Sequence, residues 1–267
     1  MDDTTMARRT VLKRDDLRRQ AWIGITLAAL IITAWTALHV LGVFFLTVSL
    51  ERAWIILPLV ALQTWLYVGL FIVAHDCMHG SLVPFRPSVN RLIGQICLLL
   101  YAGFSFDALN RKHHRHHRHS GTADDPDFDE HPPEFGFWHW YAKFFTEYFT
   151  WRQLAGIAAV SAVYQLVLGA SLANVLVFWA LPALLSSAQL FTFGTYLPHR
   201  PDADGFADHH RARTNGYAWW LSLLTCFHFG YHHEHHLEPD VPWWRLPDAH
   251  ARLQEGRPAH TDHLAAG

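Results

Sequence analysis

The sequence predicts an all-α integral membrane protein with four transmembrane helices in two hairpins, interfacial helices and a cytoplasmic histidine-rich cap. Of its 267 residues 51% are hydrophobic, and these gather into uncharged runs at residues 21–50, 53–74 and 154–198. A helix that crosses a bilayer needs roughly 20 mostly apolar residues. These runs lack the polar stripe of a soluble amphipathic helix. Three histidine clusters stand beside the apolar segments, which places polar chemistry at one membrane face.

Basic residues orient the predicted spans. Residues 1–20 form a polar segment in which Lys and Arg precede the first apolar run. Such residues mark the cytoplasmic side of a span, so we expect the N-terminus inside. The first span, within residues 21–50, then runs outward, Glu51 and Arg52 form a short outer turn, and the second span, residues 53–74, returns.

The remaining segments complete the predicted domain, residues 21–247. Residues 91–106 are apolar but short and contain Gly94 and Gly103, so an interfacial or re-entrant helix is expected. Residues 107–152 are polar and are expected to be cytoplasmic. Residues 154–197 predict the second hairpin, turning near residues 169–174, and residues 216–230 predict another interfacial segment. Residues 248–267 form a polar tail. This topology puts all three histidine clusters on the cytoplasmic side.

The histidine clusters predict a metal centre, because neutral imidazole is the commonest metal ligand near neutral pH. They read HDCMH, HHRHHRH and HHEHH. Residues three and four apart share one face of a helix, and adjacent His116 and His117 diverge enough to serve two metals. Eight imidazoles exceed the need of one tetrahedral zinc site and suit two metals. The predicted ligands are His75, His79, His113, His116, His117, His232, His235 and His236, with His199 as a further candidate.

Other residues in these regions have supporting or alternative roles. His228, His232 and His233 also fit a ligand spacing, which leaves the register of the third cluster open. Carboxylates beside ligating histidines often accept the other ring N–H. The possible outer ligands or alternatives are Asp76, His114, His119, His228, His233 and Glu234. Asp124, Asp125 and Asp127 are either similar supporting groups or ordinary loop acids.

Composition limits the partners. The formal net charge of −2 gives no argument for nucleic-acid binding. The three cysteines form no iron–sulfur spacing, and no G-x-G-x-x-G fingerprint is present. The chain therefore brings no obvious electron-transfer cofactor of its own. A basic patch is suited either to an acidic carrier or to anionic lipid head groups, and it comprises Arg111, Lys112, Arg115 and Arg118.

At these motifs the chain resembles the bacterial β-carotene ketolase family of the membrane fatty acid desaturase and hydroxylase superfamily. The likeness spans roughly residues 20–247. It includes the histidine boxes, which are shared across the superfamily, and the segment HSGTADDPDF. CFHFGYHHEHH also supports it, and the more discriminating strings are FGTYLPHR and PWWRLP.

The resemblance implies a metal centre, a reaction and partners. It implies a non-haem di-iron centre, O2 as co-substrate, a ferredoxin-type electron donor and a carotenoid drawn from the bilayer of a bacterial inner membrane. The expected reaction converts the C4 methylene of a β-ionone ring to a ketone. It takes β-carotene to echinenone and canthaxanthin, with zeaxanthin to astaxanthin as a further reaction. Trp243 and Trp244 are predicted at the tunnel or its mouth.

Three alternatives remain open. A fatty acyl-lipid desaturase or hydroxylase shares the metal boxes, and so does a carotenoid hydroxylase. A membrane metal transporter should carry ionisable residues inside its spans. Residues 154–198 contain no charged residue, and His39 alone interrupts the first run.

Overall fold

The computed structural model describes residues 14–130, 136–201 and 205–255. Within those ranges the chain is helical and forms no strand beyond one isolated bridge between Thr214 and Tyr231. Most of the predicted N-terminal segment and the end of the predicted tail, residues 1–13 and 256–267, lie outside the described residues. The all-α prediction is therefore confirmed for the described chain.

Three helices are long and apolar enough to cross a membrane. They are Asp15–Phe45, Leu50–His79 and Leu172–His199. The first contains helix α1, Arg14–Val40, which continues through a wider π-type turn at Leu41–Phe45. The second contains α2, Ala53–His79, and we call the third α7. These helices correspond to the first, second and fourth predicted spans.

The predicted third span is a short helix. Helix α6, Trp151–Ala162, continues only through a π-type turn at Val163–Val167. A capping box between Thr150 and Gln153 fixes its start, and Gly169, with φ of 74°, turns the chain just beyond its end. The helix of 12 residues and the turn of five together lie at the short end of the lengths that cross a bilayer, roughly 17–25 residues. Within the described residues three longer helices are apolar enough to cross a membrane, or four if the bent pair described next counts as one span.

Helices α3, Pro87–Ala102, and α4, Phe106–His119, meet at an angle of 98°. Gly103 ends α3 in the left-handed conformation, and the Ser105 side chain accepts the Ala108 N–H to begin α4. Gly94 does not interrupt α3. It lets Phe106 pack closely, because an added Cβ would lie 2.3 Å from Phe106 Cε2.

The remaining helices lie around the histidine-bearing ends of these long helices. Helix α5 spans Gly136–Tyr148, α8 Trp219–Cys226, α9 His232–Leu237 and α10 Leu246–Glu255. Between α8 and α9 the chain reverses at Phe227 and His228, both with positive φ. Helix α2 packs against α1, α3 and α7 and forms the centre of the buried core. The C-terminal ends of α2, α4 and α7 and the whole of α9 consequently converge.

Candidate metal centre

Two groups of histidine side chains lie where these helix ends converge. In each group the nitrogen ligand atoms all lie within 4.8 Å of one another. The first group draws on α2, α4 and α9 and consists of His75, His79, His113, His117 and His235. The second draws on α4, α7 and α9 and consists of His116, His199, His232 and His236. All nine predicted ligands therefore belong to one group or the other.

The ring nitrogens of the first group point at one another. His79 Nε2 lies 2.6 Å from His113 Nε2, and His117 Nε2 lies 3.1 Å from the same atom. His235 Nε2 lies 3.0 Å from His117 Nε2. Both ring nitrogens of His75 are buried without a hydrogen-bond partner. Buried polar atoms seldom stay unpaired, so this imidazole has the surroundings expected of a metal ligand.

The second group has the same character. His199 Nε2 lies 2.8 Å from His232 Nε2, and His236 Nε2 lies 3.1 Å from that atom. His116 Nε2 approaches His236 Nε2 at 3.2 Å. Burial lowers the pKa of His232 and His236 well below its ordinary value, and the neighbouring imidazoles lower it further. Both rings therefore stay neutral at physiological pH, the form that binds a metal.

The helical spacing divides consecutive histidines between the two groups. His116 and His117 are adjacent on α4, yet His116 belongs to the second group and His117 to the first. His235 and His236 are divided in the same way on α9. The two groups are also direct neighbours, because the rings of His117 and His236 stack with centroids 4.2 Å apart. The arrangement suits two metal ions held side by side.

Outer hydrogen bonds fix the orientation of two rings in the second group. His116 Nδ1 donates to the buried Asp125 carboxylate at 2.9 Å, and Asp125 also accepts the backbone N–H groups of Gly121 and Asp127. His199 Nδ1 donates to the Arg211 carbonyl at 2.7 Å. Such contacts select the tautomer that leaves Nε2 free for a metal. Nothing in the sequence signals the Arg211 contact, since a carbonyl carries no residue-type information.

The predicted outer or alternative residues fall outside both groups. His114 Nδ1 bonds the Asn110 carbonyl of its own helix, and His119 is exposed. His228 packs among Trp219 and Trp243.

The two carboxylates inside the histidine boxes support other contacts. Asp76 accepts the Trp243 backbone N–H at 3.0 Å and lies 3.6 Å from His75 Nδ1, beyond hydrogen-bond distance. Glu234 accepts from Thr214 and from His250 Nδ1. Asp76 thus fastens the chain at Trp243, and Glu234 the chain at Thr214 and His250, to the histidine helices instead of orienting a ligand ring.

A smaller group lies at one side of the centre. Asp208, His209 and His210 bring three ligand atoms within 4.8 Å, but His209 is exposed. The Asp208 carboxylate already accepts from His233 Nε2 at 2.8 Å, which gives His233 a partner outside the two histidine groups.

An apolar cavity of about 460 Å³ leads to the histidines from the side of α6 and α7. His75, His113, His116 and His232 lie in its wall. At the far end it is lined by leucines of α6 and α7 that are more than half exposed, including Leu154 and Leu172. Trp243 and Trp244 do not line this cavity; Trp243 is buried in the core instead.

Asp127 and Tyr148 form a polar pair at the histidine end of this cavity, and no sequence pattern indicates that these two side chains meet. Tyr148, from α5, donates its hydroxyl to the Asp127 carboxylate, and both line the cavity. Burial raises the pKa of Asp127 to about 6, and the adjacent Asp125 carboxylate adds to that increase. The association could not be anticipated, because 21 residues separate the partners.

Comparison with known proteins agrees with this arrangement. The sequence model of the fatty acid desaturase family matches residues 52–157 and 147–266, most of the chain. The chain belongs to the fatty acid desaturase family. It is 53% identical to the β-carotene ketolase of Paracoccus sp. strain N81106, over 83% of this chain and 90% of that protein.

Two further relatives allow this desaturase-family chain to be compared with a ketolase and with an acyl desaturase. It is 40% identical to a β-carotene ketolase of Haematococcus lacustris, over 88% of this chain and 80% of the relative. Its identity to the chloroplastic omega-6 fatty acid desaturase of Arabidopsis thaliana is 24%, over 94% of this chain and 62% of that protein. The resemblance to β-carotene ketolases is therefore much closer than the resemblance to this acyl desaturase.

Proposed function

We propose that this chain is a membrane β-carotene ketolase, which oxidises the C4 methylene of β-ionone rings to a ketone with O2. One observation carries the proposal: an apolar cavity, open between α6 and α7, ends at two adjacent groups of buried histidines. A rigid hydrocarbon substrate needs an apolar path to a metal, and this cavity provides one. The high identity to named β-carotene ketolases supports the choice of substrate.

Two iron ions are the proposed cofactor. His75, His79, His113, His117 and His235 would hold one ion, and His116, His199, His232 and His236 the other. Imidazole alone does not choose between iron, zinc and copper, so the assignment of iron follows the family. When bound, the di-iron centre would activate O2 toward the allylic C4–H bond of the ring.

The proposed reaction consists of two hydroxylations at one carbon. Each consumes one O2, two electrons and two protons, inserts one oxygen atom into a C4–H bond and releases one water. The resulting geminal diol loses a further water and leaves the ketone. β-Carotene gives echinenone and then canthaxanthin, and a 3-hydroxylated ring, as in zeaxanthin, leads toward astaxanthin. The protein's part is to hold the ring at the cavity end and to exclude bulk water.

The membrane arrangement is part of the same proposal. We place the N-terminus and the histidine groups on the cytoplasmic side of a bacterial inner membrane, with residues 21–247 as one oxygenase domain and residues 248–267 as its tail. The histidine-rich cap comprises α4, α5, α9 and α10. The proposal keeps the two predicted hairpins, α1 with α2 and α6 with α7, and α6 is the shorter member of the second hairpin.

A ferredoxin-type protein is the proposed electron donor. In the basic patch Lys112 pairs with Glu147 and Arg115 approaches Asp124, while Arg111 and Arg118 are exposed. Reversing the charge of Arg111 and Arg118 should raise the donor concentration needed for half-maximal turnover. Unchanged kinetics would remove this patch as the docking surface.

Pigment analysis tests the function directly. The chain is expressed in bacteria that accumulate β-carotene, and the carotenoids are separated and identified. Products with one or two conjugated ketones are expected, and a His235→Ala variant should leave β-carotene unchanged. Hydroxylated carotenoid without ketone would indicate a carotenoid hydroxylase. New unsaturated or hydroxylated acyl chains beside unchanged β-carotene would favour the acyl-lipid alternative.

A further inference from the structure

A carboxylate and a phenol stand at the histidine end of the otherwise apolar cavity. Asp127 and Tyr148 line the cavity together with His116. Tyr148 donates its hydroxyl to Asp127 Oδ1, while Asp127 Oδ2 lies 3.7 Å from His116 Nδ1. The pair therefore sits on the Nδ1 side of the ring whose Nε2 would bind metal, in the wall of the cavity that a substrate would enter.

Asp127 is not needed to orient His116. An imidazole Nδ1 carries a single proton, and His116 gives it to Asp125 at 2.9 Å. Within residues 14–130, 136–201 and 205–255, Tyr148 is the one donor whose hydrogen bond to the Asp127 carboxylate is formed. Asp127 Oδ2 thus has unused acceptor capacity on a residue that lines the cavity.

Three other hydroxyl groups that line the cavity, those of Tyr101, Ser161 and Ser187, have partners within the protein. Ser186 donates to Tyr101 at 3.1 Å, and Ser187 donates to the Leu184 carbonyl at 3.0 Å. The Ser161 hydroxyl accepts from Gln165 at 2.9 Å. Strong acceptor capacity is consequently concentrated at the histidine end.

A pure hydrocarbon would fit this end of the cavity poorly. Covering a carboxylate with apolar atoms removes its water and costs free energy unless a donor replaces that water. A ring hydroxyl close to the carbon being oxidised would supply the missing donor. We propose that Asp127, held by Tyr148, accepts a hydrogen bond from a hydroxyl on the substrate ring and thereby determines which ring is oxidised and how far.

This inference rests on the proposed ketolase function. Two hydroxyls have the required chemistry: one already present at C3 of the incoming ring, and the one formed at C4 by the first hydroxylation. Holding the first would favour 3-hydroxylated substrates. Holding the second would retain the alcohol until the second hydroxylation and so suppress its release.

The test compares three variants of the iron-loaded, full-length chain. Asp127→Leu removes the acceptor at nearly constant shape, and Asp127→Asn keeps one carbonyl oxygen. Tyr141→Phe is the matched control. It removes a hydroxyl from helix α5, which also carries Tyr148, but this hydroxyl bonds Ser187 at 2.6 Å and Tyr141 does not line the cavity. Each variant receives an equal mixture of unsubstituted and 3-hydroxylated β-ring carotenoid, and iron content verifies folding.

Two ratios are measured. The first is ketone formed from the 3-hydroxylated substrate relative to the unsubstituted one. The second is 4-hydroxylated product released from the unsubstituted substrate relative to ketone. A lost hydrogen bond to a charged acceptor should lower the first ratio, or raise the second, about tenfold in Asp127→Leu and less in Asp127→Asn. A fall in the first ratio or a rise in the second supports the proposal and identifies which hydroxyl is held, and a change in the opposite direction contradicts it.

Equal ratios in Asp127→Leu, Tyr141→Phe and the native chain would overturn the proposal while leaving the ketolase function intact. Should Asp127→Leu lose its iron, Asp127→Asn still decides, since unchanged ratios there with full iron also contradict the proposal. Absence of ketone from the native chain with either substrate is a different result, and it would remove the proposed function itself.

Discussion

At the scale of single residues, the histidines depend on neighbours that prepare them for metal binding. A metal ligand must be unprotonated, and burial lowers the pKa of His235 well below its ordinary value. Orientation comes from contacts such as Asp125 with His116 and the Arg211 carbonyl with His199. These contacts align Nε2 toward the rest of each group, so their loss should weaken metal binding without removing any ligand.

Asp125→Asn should lower iron affinity or turnover by about 10–100-fold, because Asn cannot offer His116 the same charged acceptor. The measurement is iron per chain after dialysis against a chelator, together with ketone formation. Asp124→Asn is the control, since Asp124 is exposed and lies 3.5 Å from Arg115. Equal retention of iron in the two variants would contradict a supporting role for Asp125.

The second histidine box begins with two consecutive histidines, His113 and His114, and only His113 belongs to a histidine group. His113→Ala should lose more iron than Asp125→Asn does, because it removes a ring nitrogen that lies 2.6 Å from His79 Nε2. His114→Ala should keep both iron and turnover, since His114 bonds its own helix at Asn110. Iron analysis of the two purified variants measures the difference. Loss of iron in His114→Ala alone would reverse the register.

At the scale of helices, close backbone approaches hold the long elements in register. Gly24 of α1 lies against the chain that follows α2, and an added Cβ would meet the Leu82 carbonyl oxygen at 2.3 Å. Backbone atoms cannot rotate away as a side-chain end can. The position of α1 against α2 therefore depends on the absence of a side chain at this position, and α2 carries the first histidine box.

Gly24→Ala should destabilise the chain by about 1–3 kcal/mol through overpacking. Gly156→Ala, in α6 with no heavy atom within 4 Å of the added Cβ, should instead stabilise it by about 0.5–1 kcal/mol, because alanine favours the helix. Thermal unfolding in detergent measures both changes. A Gly24→Ala variant as stable as Gly156→Ala would contradict the close approach.

At the scale of the whole molecule, the helices separate an apolar entrance from a polar interior. The outer surface carries large exposed apolar residues, among them Trp22, Leu57 and Leu166, as expected where lipid covers the protein. The cavity joins that surface to the histidines. A substrate dissolved in the bilayer would therefore reach the metals without crossing water.

Ala183→Trp should block this path, because Ala183 lines the cavity and packs on the core. Ketone formation should fall by at least tenfold, about 1.4 kcal/mol in the barrier, while iron content stays unchanged. Leu185→Trp is the control, since Leu185 is 44% exposed and does not line the cavity. Full activity of Ala183→Trp would show that the substrate enters elsewhere.

The proposed topology predicts which loops face the cytoplasm. All three native cysteines are buried, so an introduced exposed cysteine can be labelled over a low background. Glu51→Cys should react with an impermeant maleimide in cells whose outer membrane alone is permeable. Arg118→Cys should react only after the inner membrane is opened. The opposite pattern would invert the proposed orientation.

The sequence by itself determined the class of the molecule and the residues that meet. Long uncharged runs predict membrane helices, and histidines at three- and four-residue spacing predict which rings share a face, because both patterns are local. The same local reasoning placed the turn of the second predicted hairpin near residues 169–174, and Gly169 turns the chain there with a positive φ. The Thr150 capping box starts α6 at Trp151, three residues before the predicted apolar run.

Only the tertiary structure decided how the histidines divide into two groups. His235 joins rings of α2, whereas the adjacent His236 joins His199 of α7, across 37 residues of chain. The same is true of the Tyr148 bond to Asp127 and of the buried position of Trp243. A spacing specifies the face of one helix, but which faces meet depends on packing among helices distant in sequence. That packing is settled by close contacts such as Gly24 against Leu82, which no local pattern encodes.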